Sequence, residues 1–179
     1  MLGISKQGYV AKGFTLLELM IAVAILVIVM VVAVPSLQGF MQDNKQKVTR
    51  DLLANSLLVA QQEAIRNNLS TYVCPTSSGT TCANAWGANK GWLVYLDTAR
   101  NGALTAESQI IASYPSPKSA QIKYTNSSSA GRTTAQFFPT GHALAGTLKV
   151  CASSNDYEHQ EITISRMGRV TYAVASTCL

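Results

Sequence analysis

Leu19 to Val34 are sixteen consecutive apolar residues, and nothing else in the 179-residue chain limits its possible folds as much. Extended back to Phe14, the segment covers 21 residues interrupted only by Thr15 and Glu18. As a helix rising about 1.5 Å per residue it reaches about 31 Å, the thickness of a bilayer's hydrocarbon core. Lys6 and Lys12 precede it and no charge follows until Asp43. The basic end is therefore expected to stay cytoplasmic while the bulk of the chain crosses. A secretory signal peptide has a shorter apolar run and a small-residue cleavage site at its far end. Here the run closes on Val34-Pro35-Ser36, so the expectation is an anchor that is kept.

The anchor is entered through Lys12-Gly13-Phe14-Thr15-Leu16-Leu17-Glu18. This string resembles the type III signal of type IV prepilins and pseudopilins, in which a dedicated peptidase cuts between Gly and Phe and the new N-terminal Phe is N-methylated. The resemblance implies a leader over residues 1–13, cleavage after Gly13, methylation of Phe14, and a prepilin peptidase/N-methyltransferase as a partner. A residue without Cβ suits such a site because its backbone can enter a narrow cleft. Glu18 becomes the fifth mature residue. An ionised carboxylate costs about 2.5–3.5 kcal/mol at mid-bilayer and less near the interface. By the same resemblance, Glu18 pairs with the N-terminal amine of a neighbouring subunit during assembly. The protein is then expected first in the inner membrane, single-pass with its N-terminus cytoplasmic, and later in a periplasm-spanning or extracellular filament.

Past the anchor, Leu37, Phe40, Met41, Val48, Leu52, Leu53, Val59, Ala60, Ala64 and Ile65 recur at three- and four-residue spacing, the pattern of an amphipathic helix face. The opposite face carries Gln42, Lys45, Lys47, Arg50, Asp51, Gln62 and Arg66, and Asn67-Asn68 is a plausible stop. The expected organisation is a transmembrane and assembly helix over 14–34, an amphipathic helix over 35–69 and a β domain over 70–179. Pro35 and Gly39 fall at the junction, where a bend or a locally melted turn is expected, since proline removes a backbone donor and crowds the preceding turn.

After Asn68 the composition turns to Thr, Ser, Gly, Tyr and Val. Strand-like runs occur at 71–74, 92–96, 109–114, 121–125, 134–138, 147–152, 160–165 and 169–174, divided by turn-rich stretches such as Arg100-Asn101-Gly102. Asn126–Ala130 reads as a surface loop. One helix followed only by strands is α+β, with the amphipathic face covering an antiparallel sheet. The four cysteines, Cys74, Cys82, Cys151 and Cys178, contain no C-x-x-C pair, and an even count outside the membrane segment fits an oxidising compartment. Of the three possible pairings, Cys74–Cys82 and Cys151–Cys178 are preferred, because each flanks one local stretch. Chain entropy assigns them about 2.6 and 3.6 kcal/mol.

Further strings, Trp92 to Asp97 with Asn101-Gly102, Phe138-Pro139-Thr140-Gly141, and Ile162 to Ser165 with Gly168-Arg169-Val170, resemble the GspH/FimT/FimU minor pilins. The resemblance implies a type IV pilin-like fold and a structural role. The expected protein is a minor type IV pilin of the FimU/FimT kind near the pilus tip, supporting pilus assembly and twitching motility. A GspH-like minor pseudopilin of a type II secretion system and a DNA-binding minor pilin for natural transformation are the alternatives. The implied partners are other minor and major pilins or pseudopilins.

Charged residues are only 13% of the chain, about half the usual share, which suits a subunit packed among others. The net charge of +5 falls to +3 once Lys6 and Lys12 leave with the leader, too mild a balance to imply nucleic acid by itself. Lys149, Arg166 and Arg169 are the candidate phosphate contacts. The DNA-uptake branch resembles this chain but has Gly-Arg-x-Arg, and Thr171 stands where its second arginine would be. Asp97 and Asn101 before Gly102 suggest a calcium loop, but such a site needs six to eight oxygens and Arg100 opposes a cation, so a strand-ending turn is expected. With only His142 and His159, and no hydrolase elbow, phosphate loop or zinc spacing, no metal, cofactor or enzymatic activity is expected.

Overall fold

The computed structural model describes residues 13–115, 117, 120–126, 133–152, 158–175 and 177–178. The leader before Gly13 and residues 127–130 of the expected surface loop lie outside them. The chain divides into two compact units, one ending at Gln38 and one running from Gly39 to the end.

Helix α1 spans Leu16–Asn67. Thr15 caps its start, its Oγ1 accepting from the Glu18 amide at 3.2 Å, as an N-cap residue does for an otherwise unpaired first-turn donor. At the far end the chain leaves through Asn68 in the left-handed region, φ 52. The Asn68 amide donates to Ile65 O and the Leu69 amide to Ala64 O, the paired bonds of a Schellman cap. The expected melted turn at Pro35 and Gly39 is absent, since α1 is helical through both. Proline's fixed φ lies in the helical range, so the chain can stay helical through Pro35 despite the lost donor and the crowded turn.

The buried stripe of α1 keeps Leu53, Ala60 and Ala64 of the expected one and otherwise differs from it. Gln46, Thr49, Leu53, Ala54, Ser56, Leu57, Ala60 and Ala64 face the core, while Leu37, Phe40, Met41, Val48, Leu52 and Ile65 are exposed. Both stripes fit a 3.6-residue period, so periodicity does not choose between them. Small residues do: Ala54, Ser56, Ala60 and Ala64 let the helix backbone approach the strands. Ser56 also has a particular task, for the buried indole of Trp92 donates to its Oγ at 2.9 Å while that Oγ donates to Leu53 O. A leucine there would leave the indole N–H without a partner, at about 1–3 kcal/mol.

Eight strands follow: β1 Thr71–Thr76, β2 Gly91–Leu96, β3 Gln109–Tyr114, β4 Ala120–Asn126, β5 Ala135–Phe137, β6 Gly146–Ala152, β7 His159–Ile164 and β8 Val170–Ala175. All eight expected runs are strands, but they form two four-stranded antiparallel sheets where one was expected, ordered β3-β2-β1-β5 and β4-β6-β7-β8. Strand pairing is a long-range choice, and the run between Asn126 and Ala135 gives no local sign that its two strands part company. One core joins both sheets to the helix: Val73, Trp92 and Val94 from the first, Ile122, Leu148, Val150, Ile162 and Ile164 from the second, Leu53 and Leu57 from α1. Full burial of each such side chain contributes about 1.5–3 kcal/mol.

Candidate functional site

The N-terminal string begins the unit that ends at Gln38. A Cβ built on Gly13 meets nothing within 4 Å, and Phe14 is 74% exposed. Glu18 lies exposed in the first turn of α1, three residues from its cap Thr15. Sequence reasoning passed over Thr15 as a cap, although the spacing Thr-x-x-Glu is the usual signal of a capping box. Beyond it the apolar run stays uncovered: Ile21, Ile25, Ile28 and Val31 are 53–70% exposed, and none of the most apolar 18-residue window is buried. The helix is long and apolar enough to cross a membrane, by length and composition.

In the second unit the outward face of α1 is also apolar. Phe40 is 71% exposed, with Met41, Val48, Leu52, Leu58 and Ile65 at 42–53%. These residues lie on the side away from Leu53, Ala60 and Ala64. One rod thus presents apolar surface to its own sheets on one side and to something outside the chain on the other.

The three candidate DNA contacts do not form one surface. Arg166 and Arg169 are exposed on the tight β7–β8 turn, which closes through the Ser165 amide donating to Arg169 O and the Gly168 amide to Ser165 O. Lys149 sits in β6 directly opposite Glu161, its Nζ 3.7 Å from that carboxylate, and it donates to Thr177 O. Lys149, expected from the sequence as a phosphate contact, has charge and hydrogen-bond partners within the sheet. It also stands about five residues along β7 from Arg166, roughly 16 Å at strand rise.

Lys149 belongs to a different arrangement, which sequence reasoning missed. Its register partner on β4 is Lys123, whose Nζ donates to Cys178 O at 2.6 Å. Cys178 is bonded to Cys151, with Cα atoms 5.8 Å apart, and Cys74 to Cys82 at 5.7 Å. Both pairings match the preferred ones. Thr177 and Cys178 are thus held to β4 and β6 by two lysines and a disulfide. Only the cross-strand register brings Lys123 into that group.

A second missed contact ties α1 to two loops. Gln61 of α1 donates from Nε2 to Gly141 O at 2.7 Å. Gly168, at φ +76, lies so close that a Cβ there would stand under 3.0 Å from both the Gly141 carbonyl oxygen and Gln61 Nε2. Ala143 N donates to Arg166 O across the same junction.

Asp97 closes a turn, as expected. It is 3% exposed, and its carboxylate accepts from the Asn101 amide at 3.2 Å and the Gly102 amide at 2.8 Å. Arg100 and Gly102 take positive φ within that turn. Tyr95 stacks on Tyr72 at 5.2 Å and donates to Gly102 O. Burial pushes its phenol well above the ordinary tyrosine range, with Tyr72 and Asp97 adding to the effect. His159 is 3% exposed and accepts the Ala152 amide on Nδ1, whereas exposed His142 contacts Thr140. The His142–Thr140 contact is exposed and local, and among the described residues no three His, Cys, Asp or Glu come together around a metal position.

Two family-wide sequence profiles match: "Type II transport protein GspH" over residues 49–168, and the prokaryotic N-terminal methylation motif over residues 10–34. Among solved structures, the minor pseudopilin EpsH of the Vibrio cholerae type 2 secretion system aligns with TM-score 0.53 at 14% identity, covering 73% of this chain and 97% of its own. The type IV minor pilin FimU of Pseudomonas aeruginosa aligns with TM-score 0.53 at 16% identity, covering 78% and 99%. No curated protein sequence matches the chain. At these identities the structural likeness concerns the fold: one long helix on antiparallel sheets.

Proposed function

The chain belongs to the GspH family of minor pilins and pseudopilins, and we propose that it is a minor type IV pilin of the FimU/FimT kind, a structural subunit near the pilus tip that supports pilus assembly and twitching motility. The observation that carries this reading is the double-faced helix. Its anchor is apolar from Leu19 to Val34 and exposed at the side chains described there, and past Gly39 it still turns Phe40, Met41, Val48, Leu52 and Ile65 outward while its other side packs the domain core. A soluble monomer gains nothing from that second stripe. A subunit stacked helix against helix does, because each apolar side chain covered contributes about 1.5–3 kcal/mol.

On this reading, a prepilin peptidase removes residues 1–13 and methylates Phe14. Glu18 then pairs with a neighbour's N-terminal amine as the helix leaves the inner membrane for the filament of other pilins. Thr15 supports that step by capping the turn that presents Glu18. The role is structural, with no turnover of substrate. The two disulfides weigh toward a pilus over a secretion filament, since covalent bracing suits an exposed tip subunit. The family profile's own description favours a GspH-like minor pseudopilin of a type II secretion system as the second reading.

Intact mass of membrane-extracted protein should give a chain beginning at N-methyl-Phe14. A retained leader, or cleavage beyond Val34, refutes the processing step. Deletion should abolish pili and twitching. Lost secretion with pili intact would move the assignment to the pseudopilin, and lost DNA uptake with pili intact to transformation.

A further inference from the structure

The two sheets have four edges, and three of them are guarded. Strand β5 is three residues long and is bridged at Phe137 by Ala143. Strand β4 is bridged at Gln121 by Ala88. Strand β3 carries a register shift where it passes Val94 and Tyr95, a bulge of the kind that blunts an edge. Among the described residues, strand β8 has none of these devices. It reads Val-Thr-Tyr-Ala-Val-Ala, six residues without charge or proline, and it keeps unbroken register with β7 from Ile164↔Val170 to His159↔Ala175. Tyr172 and Val174 are 62% and 61% exposed.

Alternation along the hairpin shows which backbone groups are open. The Ser165 amide donates to Arg169 O, so counting by two makes Thr171, Ala173 and Ala175 the residues that exchange bonds with β7. The N–H and C=O groups of Val170, Tyr172 and Val174 then point away from the sheet, and no described residue is bonded to them. The same three side chains share the face of their partners Ile164, Ile162 and Gln160, toward α1. There a groove of 520 Å³ opens between strand and helix, lined by Ala54, Asn55, Leu58, Val170 and Tyr172. Arg50 stands at its mouth, donating to Gln160 and Asp51 and lying 5.1 Å over the Tyr172 ring.

We propose that β8 receives a strand donated by a different subunit of the same filament, extending its sheet to five strands. The occupant is an extended segment, because a bare edge recognises backbone. A strand about 4.8 Å beyond β8 puts alternate side chains into the groove beside Leu58, so the donor is apolar or β-branched at every second position. Arg166 and Arg169 stand exposed at the start of β8 and make no ion pair among the described residues. They call for an acidic residue at that end of the donor. A second copy of this chain does not fit. Antiparallel β8–β8 pairing places a two-fold axis perpendicular to the sheet, which reverses every in-plane direction, including that of the helix lying on it. The two Gly39 ends, where each chain enters its anchor, would then head opposite ways.

The inference rests on the filament-subunit reading, and its test separates the two. Full-length protein carrying a photo-cross-linking phenylalanine at position 172 or 174, or at exposed Thr163 on the outer sheet face as control, is illuminated in sheared filaments and the linked peptides are sequenced. Cross-links from 172 and 174 should fall on alternate residues of one extended segment in another subunit, with none there from 163. Val174→Pro removes an outward donor and no bond to β7, at an edge position where proline is tolerated. It should abolish the link from 172 while leaving the melting temperature of the purified protein unchanged. Hydrogen exchange of the unsubstituted protein reads the pairing without any variant. The amides of Val170, Tyr172 and Val174 should exchange freely in the purified chain and slow by about 100-fold or more in filaments. Links to lipid, to a helix or to this chain itself, or amides that stay unprotected in filaments, overturn the strand-donation proposal alone. Absence of the chain from the filaments overturns the filament reading and this proposal with it.

Discussion

Replacing Gly168 by alanine probes the junction that locks α1 to the two loops beside it. Three costs add. The residue sits at φ +76, where an L side chain loses about 1–2 kcal/mol. Its new Cβ would come within 3.0 Å of the Gly141 carbonyl oxygen, which is backbone, and of Gln61 Nε2. Relief by small shifts in a packed region costs about 1–3 kcal/mol. Separating Gln61 from Gly141 O, now 2.7 Å apart, removes about 0.5–1.5 kcal/mol more. The total is about 3–6 kcal/mol, a large part of the about 5–15 kcal/mol available to a domain. For the unit running from Gly39 to the end this lowers Tm by about 10–20 °C, read by thermal denaturation followed by circular dichroism. Gly102→Ala is the control. Its φ is +74, but its Cβ would meet only the end of the Tyr72 side chain, at 3.3 Å, so about 1–2 kcal/mol of backbone strain is expected. Adding Gln61→Ala to Gly168→Ala should recover less than half of the loss, since the carbonyl clash remains. Equal melting temperatures for Gly168→Ala and Gly102→Ala, within about 2 °C, would refute the close-approach argument.

Two further outcomes rest on the disulfides and on the pairing of Lys149. Non-reducing peptide mapping should recover Cys74–Cys82 and Cys151–Cys178, and serine replacement of the second pair, which spans 27 residues against 8, should cost about 1 kcal/mol more than replacement of the first; free thiols or crossed pairs would contradict it. Duplex DNA titrated with the domain should show no tight binding, because Lys149 is engaged by Glu161 and Thr177 O. Two arginines alone give a log–log salt slope of about −1.8, so tight binding that falls on Arg166→Ala and Arg169→Ala would reopen the transformation role.

What could be read from the residues was whatever their near neighbours decide. An unbroken apolar run is a membrane-length helix whatever follows it. Asn67-Asn68 ends a helix because Asn tolerates the left-handed cap, and eight short β-rich runs between turn residues remain eight strands. The cysteine pairs followed for the same reason, each closing a local stretch. The tertiary structure decided what depends on residues far apart in sequence. Two stripes of α1 satisfy the helical period, and only the sheets' demand for close approach, with Trp92 seeking Ser56, turns the small-residue stripe inward and leaves the bulkier one for other subunits. Strand order is equally non-local: it separated one expected sheet into two, set Lys149 opposite Glu161 and beside Lys123, and left β8 without a bridge or bulge among the described residues while the other three edges were covered or broken. Local propensity measures how a segment can fold, whereas pairing and burial depend on which distant surfaces compete for it, and that competition is settled only when the whole chain packs.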